Sequence, residues 1–221
     1  MSSLPPVSLG AVTVVLLHSP FSEPARDPDW GVLPEELRGQ HPAVDVHVVS
    51  VPEADRRAPG HSYVARAALD IAAAGPHRSL LLVGTGAAGP LLPQVGASQR
   101  SAHRLVLGYV LLDALLPQSG MVTWAALARE QTGAELHHLV DASDSRELAT
   151  QWAPETVPTP VDWPDAPCVY LQSDHRYDGC LRRAHLRGWK VGDLRSGADD
   201  GLSSTAVASA VAAAIVDLGR G

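Results

Sequence analysis

Leu80-Leu81-Leu82-Val83-Gly84-Thr85-Gly86-Ala87-Ala88-Gly89 is the stretch on which the fold turns. Apolar residues with the composition of a buried strand run straight into glycines, the residues that let a chain turn sharply. Taken literally, the glycines match Gly-x-Gly-x-x-Gly, in which a strand ends at a helix N-terminus that cradles a dinucleotide pyrophosphate. That fingerprint follows the first strand of its fold, opens an uninterrupted helix and is answered by an acid about twenty residues on. Here it follows the third candidate strand, and Pro90 and Pro93 interrupt the segment behind it. The nearest strand-end acid, Asp113, lies well beyond the required interval. NAD(P) binding is therefore the weaker reading, and no cofactor is expected.

Working outward, short apolar runs alternate with helix-like segments. Strands are predicted over Val12–Leu17, Val44–Val49, Leu80–Val83, Leu105–Leu112, Cys168–Leu171 and Trp189–Leu194. Their continuous Val/Leu character, without polar alternation, predicts strands covered on both faces. Helices are predicted over Trp30–Arg38, Ser62–Ala74, Ala88–Ala97, Arg176–Arg187 and Ser203–Leu218. This order gives an α/β protein with a doubly wound, mostly parallel sheet of about six strands. Residues 117–166 carry no strand signal, and Pro154, Pro158, Pro160 and Pro164 crowd the second half. They are predicted to form a short helical lid inserted into a single domain spanning 1–221.

The chain has 221 residues, 45% of them hydrophobic, enough to bury a core of one enzyme-sized domain. Seventeen Lys and Arg against 24 Asp and Glu leave a net charge of -7, which a phosphate backbone would repel. No nucleic-acid partner is expected on this ground. Met1–Gly10 has no basic residue before the apolar run Ala11–Leu17, so neither a signal peptide nor a membrane span is expected, and a cytoplasmic location follows. Cys168 and Cys180 are read as small apolar residues kept reduced. No His, Cys, Asp and Glu grouping has zinc-type spacing, so no metal is expected.

Leu81–Pro93 resembles the "LVGHSxxGPLLP" strand-to-helix elbow of bacterial α/β-hydrolases, with Thr85 in place of histidine and Gly86 in place of the nucleophilic serine. Val14–Pro20 resembles that family's first strand and oxyanion loop, Val110–Pro117 its "VFVDAxLP" strand, and Gly188–Ser203 its last strand and histidine loop. The likeness covers nearly the whole chain in the family's order, and it implies the α/β-hydrolase fold. In a working member a histidine takes the serine's proton and an acid orients the histidine. The resemblance puts histidine at Ala198 and the acid at or near Asp174, so the degenerate triad positions are Gly86, Asp174 and Ala198. It also assigns backbone N–H donors for a carbonyl oxygen to Phe21 and Ala87, since Pro20 has none to give.

The remaining candidates for substrate contact lie around that cleft: His18 and Ser19 at the end of the first strand, Thr85 and Gly86 on the elbow, Asp113 at a strand end, Trp124 in the lid, and His175. Each also has a plainer reading. His18 is usually structural in the family, Asp113 suits a turn cap, His175 a surface loop, and Trp124 packing beneath the lid. Asp199 and Asp200 are candidates to replace the absent histidine or to charge a helix N-terminus.

The pattern of losses resembles the bottromycin-type peptide epimerases, hydrolase-fold proteins without a working triad in which the substrate's own carboxylate moves the proton. That resemblance implies a non-hydrolytic enzyme, a peptide epimerase acting on a modified peptide or small natural product in antibiotic biosynthesis; the assembly is left open to a homodimer. Two alternatives stand beside it. One is a hydrolase with displaced groups, Ser19 or Cys180 attacking with His18 or His175 as base. The other is a binding protein that sequesters its ligand.

Overall fold

The computed structural model describes residues 12–22, 30–31, 33–56, 60–76, 79–140, 143–158, 163–195 and 204–218. Six strands form one all-parallel sheet in the order β2-β1-β3-β4-β5-β6. They are β1 (Val12–Leu17), β2 (Val44–Val48), β3 (Ser79–Gly86), β4 (Leu105–Ala114), β5 (Cys168–Gln172) and β6 (Lys190–Asp193). Every residue of β1 and β5 is buried, as the continuous apolar runs require of strands covered on both faces.

The side chains of β1 sort alternately into two cores. Val12, Val14 and Leu16 pack with α1 (Leu33–Gln40) and α8 (Ser204–Leu218) through Leu33, Leu37, Val207 and Val211. Val15 and Leu17 pack on the opposite face with α3 (His61–Ala73), α4 (Leu92–Ser101) and α7 (Asp178–Leu186), through Tyr63, Ile71, Leu92, Val95 and Ala184. A short helix α2 (Glu53–Arg56) precedes α3.

The 117–166 segment contributes two helices, α5 (Trp124–Thr132) and α6 (Ser143–Trp152). Helix α5 starts where the Thr123 side chain accepts from Ala126 N–H and stops at Gly133 in the left-handed conformation. These helices are part of the core. Trp124, Leu127, Ala149 and Trp152 are fully buried in the same cluster as Val15 and Leu17. Among the described residues no helix is long and apolar enough to cross a membrane.

The prolines behind the elbow prove compatible with helix. Pro90 sits in a short 3-10 turn, Gly89–Leu91, and Pro93 falls in the first turn of α4, where its missing N–H would have no partner.

Candidate functional site

Parallel strands all end at the same edge of a sheet, so the loops after β1, β3, β4 and β5 meet there. Strand β3 leaves the sheet at Gly86, whose φ of +52° is a left-handed value that glycine adopts without steric cost. The elbow geometry is thus present, with no side chain on it. Directly above lies the loop after β1. A Cβ built on Gly86 would come within 3.0 Å of Ser19 Cβ and 3.1 Å of Ser19 Oγ, with the Tyr177 hydroxyl at 3.9 Å.

Ser19 therefore fills the space in which an elbow side chain would stand. Phe21 N–H donates to Ser19 Oγ at 3.3 Å, a local turn of the kind serine hydroxyls favour. Ala87 N–H, from the elbow, donates to the same oxygen at 3.4 Å. The two N–H groups expected to face a carbonyl oxygen do converge on one point, and a hydroxyl of this chain occupies it. Thr85 holds the two loops together, its Oγ1 accepting from Ser19 N–H at 3.3 Å.

The other expected residues are placed differently. His18 turns its ring toward Trp30, with centroids 5.6 Å apart, and its carbonyl accepts from the Tyr63 hydroxyl at 2.5 Å. Trp124 is fully buried and packs on Trp152 at 5.3 Å, so it forms core and does not line a cleft. His175 has an 82% exposed side chain, 2.5 Å from Arg195 Nη1 and 3.7 Å from Asp178 Oδ2. Asp174 accepts from Arg176 N–H at 2.8 Å and pairs with its guanidinium at 2.6 Å, as the cap of the turn that follows β5. Ala198, Asp199 and Asp200 lie outside the described residues.

Asp113 takes the turn-cap role. One of its carboxylate oxygens accepts from Ser173 N–H at 2.7 Å and Asp174 N–H at 3.1 Å, and the other accepts from the Ser173 hydroxyl. Its own φ is +42°, uncommon for a side-chain-bearing residue and tolerated by aspartate. Burial pushes its carboxyl above the usual range, while the Ser173 and Asp174 donors pull it back.

A folded-state value raised above the unfolded one means that Asp113 adds stability fully only below the ordinary carboxylate pKa, and this is lost as pH rises through the folded value. Asp113→Asn does not titrate, so the stability of the wild-type protein relative to this variant should fall between pH 4 and pH 7. Urea midpoints at both pH values test this; a gap that widens with pH would contradict it.

Cys180 is excluded as a displaced nucleophile. It is fully buried, and burial pushes its thiol up to about 12. Tyr177 is also buried, which drives its hydroxyl far above the ordinary tyrosine value and keeps it protonated. Sequence reasoning missed Arg195, which joins Asp193, Asp178 and His175 beyond β6; the spacing Asp193-x-Arg195 was its one visible trace.

A groove of about 350 Å³ runs between Pro117–Ser119, Trp163–Pro164 and Arg187–Trp189 and includes none of the expected site residues. Among the described residues no cluster of His, Cys, Asp and Glu is arranged to hold a metal ion.

No family model and no curated protein matches this chain. Solved structures do. The NocB thioesterase domain, in covalent complex with a fluorophosphonate nocardicin G analog, is 18% identical over 91% of this chain and 94% of its own, with a TM-score of 0.53. The pyrethroid hydrolase PytH is 16% identical over 95% of this chain and 98% of its own, with a TM-score of 0.57. The type II thioesterase BorB, from the borrelidin biosynthetic cluster, is 14% identical over 95% and 93%, with a TM-score of 0.56. Six parallel strands with helices on both faces agree with these neighbours over nine-tenths or more of the chain, and the chain has the α/β-hydrolase fold.

Proposed function

We propose that this protein binds a carbonyl-bearing peptide or small natural product over the elbow and promotes proton exchange beside that carbonyl, without acyl transfer. One observation carries the reading: Phe21 N–H and Ala87 N–H converge on a single oxygen position above an elbow that has glycine where an attacking side chain would stand. Paired N–H donors stabilise negative charge developing on a carbonyl oxygen, whether that charge comes from attack or from loss of an α-proton. Gly86 supplies nothing to attack with.

The proton balance follows the epimerase pattern. A carboxylate of the substrate takes the Cα proton, the electron pair moves onto the carbonyl oxygen held by the two donors, solvent water protonates the opposite face to invert the centre, and the carboxylic acid returns its proton to solvent. The names of two neighbours, a thioesterase domain acting with a nocardicin G analog and a thioesterase from the borrelidin cluster, suggest natural-product acyl groups as the substrate class.

Hydrolysis through Ser19 is the weaker reading. Its Oγ is bonded to Phe21 and Ala87 N–H, and among the described residues no histidine or carboxylate touches it to remove its proton. A direct test incubates the protein in deuterium oxide with a peptide ending in an aspartyl α-thioester, which places a carbonyl beside the α-carbon and a carboxylate within reach of its proton. Uptake of one deuterium at the aspartate α-carbon without cleavage is expected. Turnover of p-nitrophenyl acetate together with covalent fluorophosphonate labelling would refute the reading.

A further inference from the structure

The hydroxyl of Ser19 has a role that neither the elbow nor the proposed chemistry requires. We infer that Ser19 is the specificity-determining residue of this site: its Oγ serves as a resident acceptor on the Phe21 and Ala87 N–H groups, so that a ligand oxygen displaces it only when that oxygen is anionic or strongly polarised.

The geometry favours an acceptor that can be exchanged. The contacts of 3.3 and 3.4 Å lie at the long end for N–H···O bonds, so each donor is occupied but weakly held. The Ser19 backbone, in contrast, is fixed at both ends. Its N–H donates to Thr85 Oγ1 at 3.3 Å and its carbonyl accepts from Ser22 N–H at 2.9 Å. Displacement therefore needs only rotation about χ1 from one staggered well to another. Gly86 leaves room for the serine, whose Cβ and Oγ stand 3.0 and 3.1 Å from where a Cβ would be. Among the described residues no acceptor takes the Ser19 O–H, so its proton remains available to an incoming oxygen.

The selectivity follows from the exchange. A neutral carbonyl oxygen replacing a neutral hydroxyl makes similar bonds and must also offset the entropy of association, which the resident group does not lose. A charged oxygen makes charge-assisted bonds to the same donors, about twice as strong. Ground-state amides and esters are therefore poor ligands, while a carboxylate, or an enolate formed in place, binds well. This is the difference between ground and transition states on which catalysis depends.

The inference rests on the proposed seating of a ligand oxygen at the two donors, but not on proton exchange. The test follows the Phe21 and Ala87 amide resonances in 1H–15N spectra at pH 7 while acetate or acetamide is added. In the wild-type protein, acetate is expected to shift both resonances, with a preference of about tenfold or more over acetamide, an energy gap near 1.4 kcal/mol. In Ser19→Ala both resonances move before any ligand is added, and the preference shrinks to a few-fold; Ser19→Gly serves the same purpose if alanine perturbs the loop.

Equal response to the two probes in the wild-type protein, or no response to acetate, overturns the inference. So do amide resonances that stay in place when the hydroxyl is removed. Failure of deuterium uptake with a retained acetate preference would instead remove the proposed chemistry and leave the role of Ser19 standing.

Discussion

Gly86→Ser combined with Ala198→His, the two changes that the resemblance to α/β-hydrolases implies would supply a nucleophile and a base, is expected to leave the protein unlabelled by a fluorophosphonate. Adding Ser19→Gly should make labelling stoichiometric. The obstacle is steric and local. A side chain on Gly86 meets Ser19 Cβ at 3.0 Å before it reaches the hydroxyl, so removing the oxygen alone, as in Ser19→Ala, still leaves the crowded carbon. Glycine at 19 clears both atoms and frees the Phe21 and Ala87 N–H groups for a reacting oxygen.

If histidine at 198 takes the base position that the resemblance implies, p-nitrophenyl acetate turnover in the triple variant should exceed that of the Ser19→Gly/Gly86→Ser pair by about 10²–10⁴, the usual contribution of a positioned general base. Labelling of the double variant that retains Ser19 would show that its side chain yields easily. Absence of fluorophosphonate labelling in both the Ser19→Gly/Gly86→Ser pair and the triple variant would show that the convergent donors do not serve an elbow serine.

The largest effect on stability is expected at Gly89. A Cβ there would lie 2.1 Å from the Leu115 carbonyl oxygen and 3.0 Å from Ala114 Cβ. Neither neighbour can retreat, because Leu115 N–H is bonded to Gly86 O at 3.0 Å and Ala114 continues β4 beside β3. Gly89→Ala must therefore separate the turn before α4 from the end of β4, disrupting the packing of Leu91 and Leu92 behind it. A cost of about 4 kcal/mol or more, in the exceptional range for a single substitution, is expected. For a chain of this size that lowers Tm by about 10 °C or prevents folding.

Gly39→Ala provides the internal contrast. A Cβ there has no heavy atom within 4 Å, and the residue lies in helix α1, where alanine should gain about 0.5–1 kcal/mol. Thermal melts of the two variants should thus move in opposite directions. A Gly89→Ala melt within two degrees of the wild-type protein would contradict the close approach.

The sheet was largely legible because burial on both faces leaves continuous apolar runs that few other structures produce. Val12–Leu17 matches β1 at both ends, and Val44, Leu105 and Cys168 open β2, β4 and β5 as expected. Strand β3 runs past its apolar residues because Thr85 and Gly86 still pair with Leu112 and Ala114, and nothing in the composition of Gly84-Thr85-Gly86 signals strand. Helices α5 and α6 fall in the segment expected to form a helical lid, but their bounds were not read, although Thr123 and Gly133 mark both ends of α5 in the sequence.

The site divides in a similar way. Phe21, Ala87 and Gly86 are picked out by local motif, and the structure brings them together at one end of the sheet. What Ser19 does depends on the loop after β1 folding over the loop after β3, a long-range contact without sequence signature. Trp124 was misplaced because an aromatic residue in an insertion looks the same whether it lines a cleft or fills a core.

Phe21, which supplies one of the donors, stands edge-on to Trp152 at 5.1 Å, and Trp152 in turn packs on Trp124 and donates its indole N–H to the Arg56 carbonyl at 3.1 Å. Most substitutions that loosen the Phe21 N–H therefore also open the interior of the protein. An electrostatic trap built in this way needs no catalytic selection to persist, because the demand that the chain fold at all is sufficient to retain it. A pair of N–H donors anchored to the core in this way stays in place whatever chemistry is done over it.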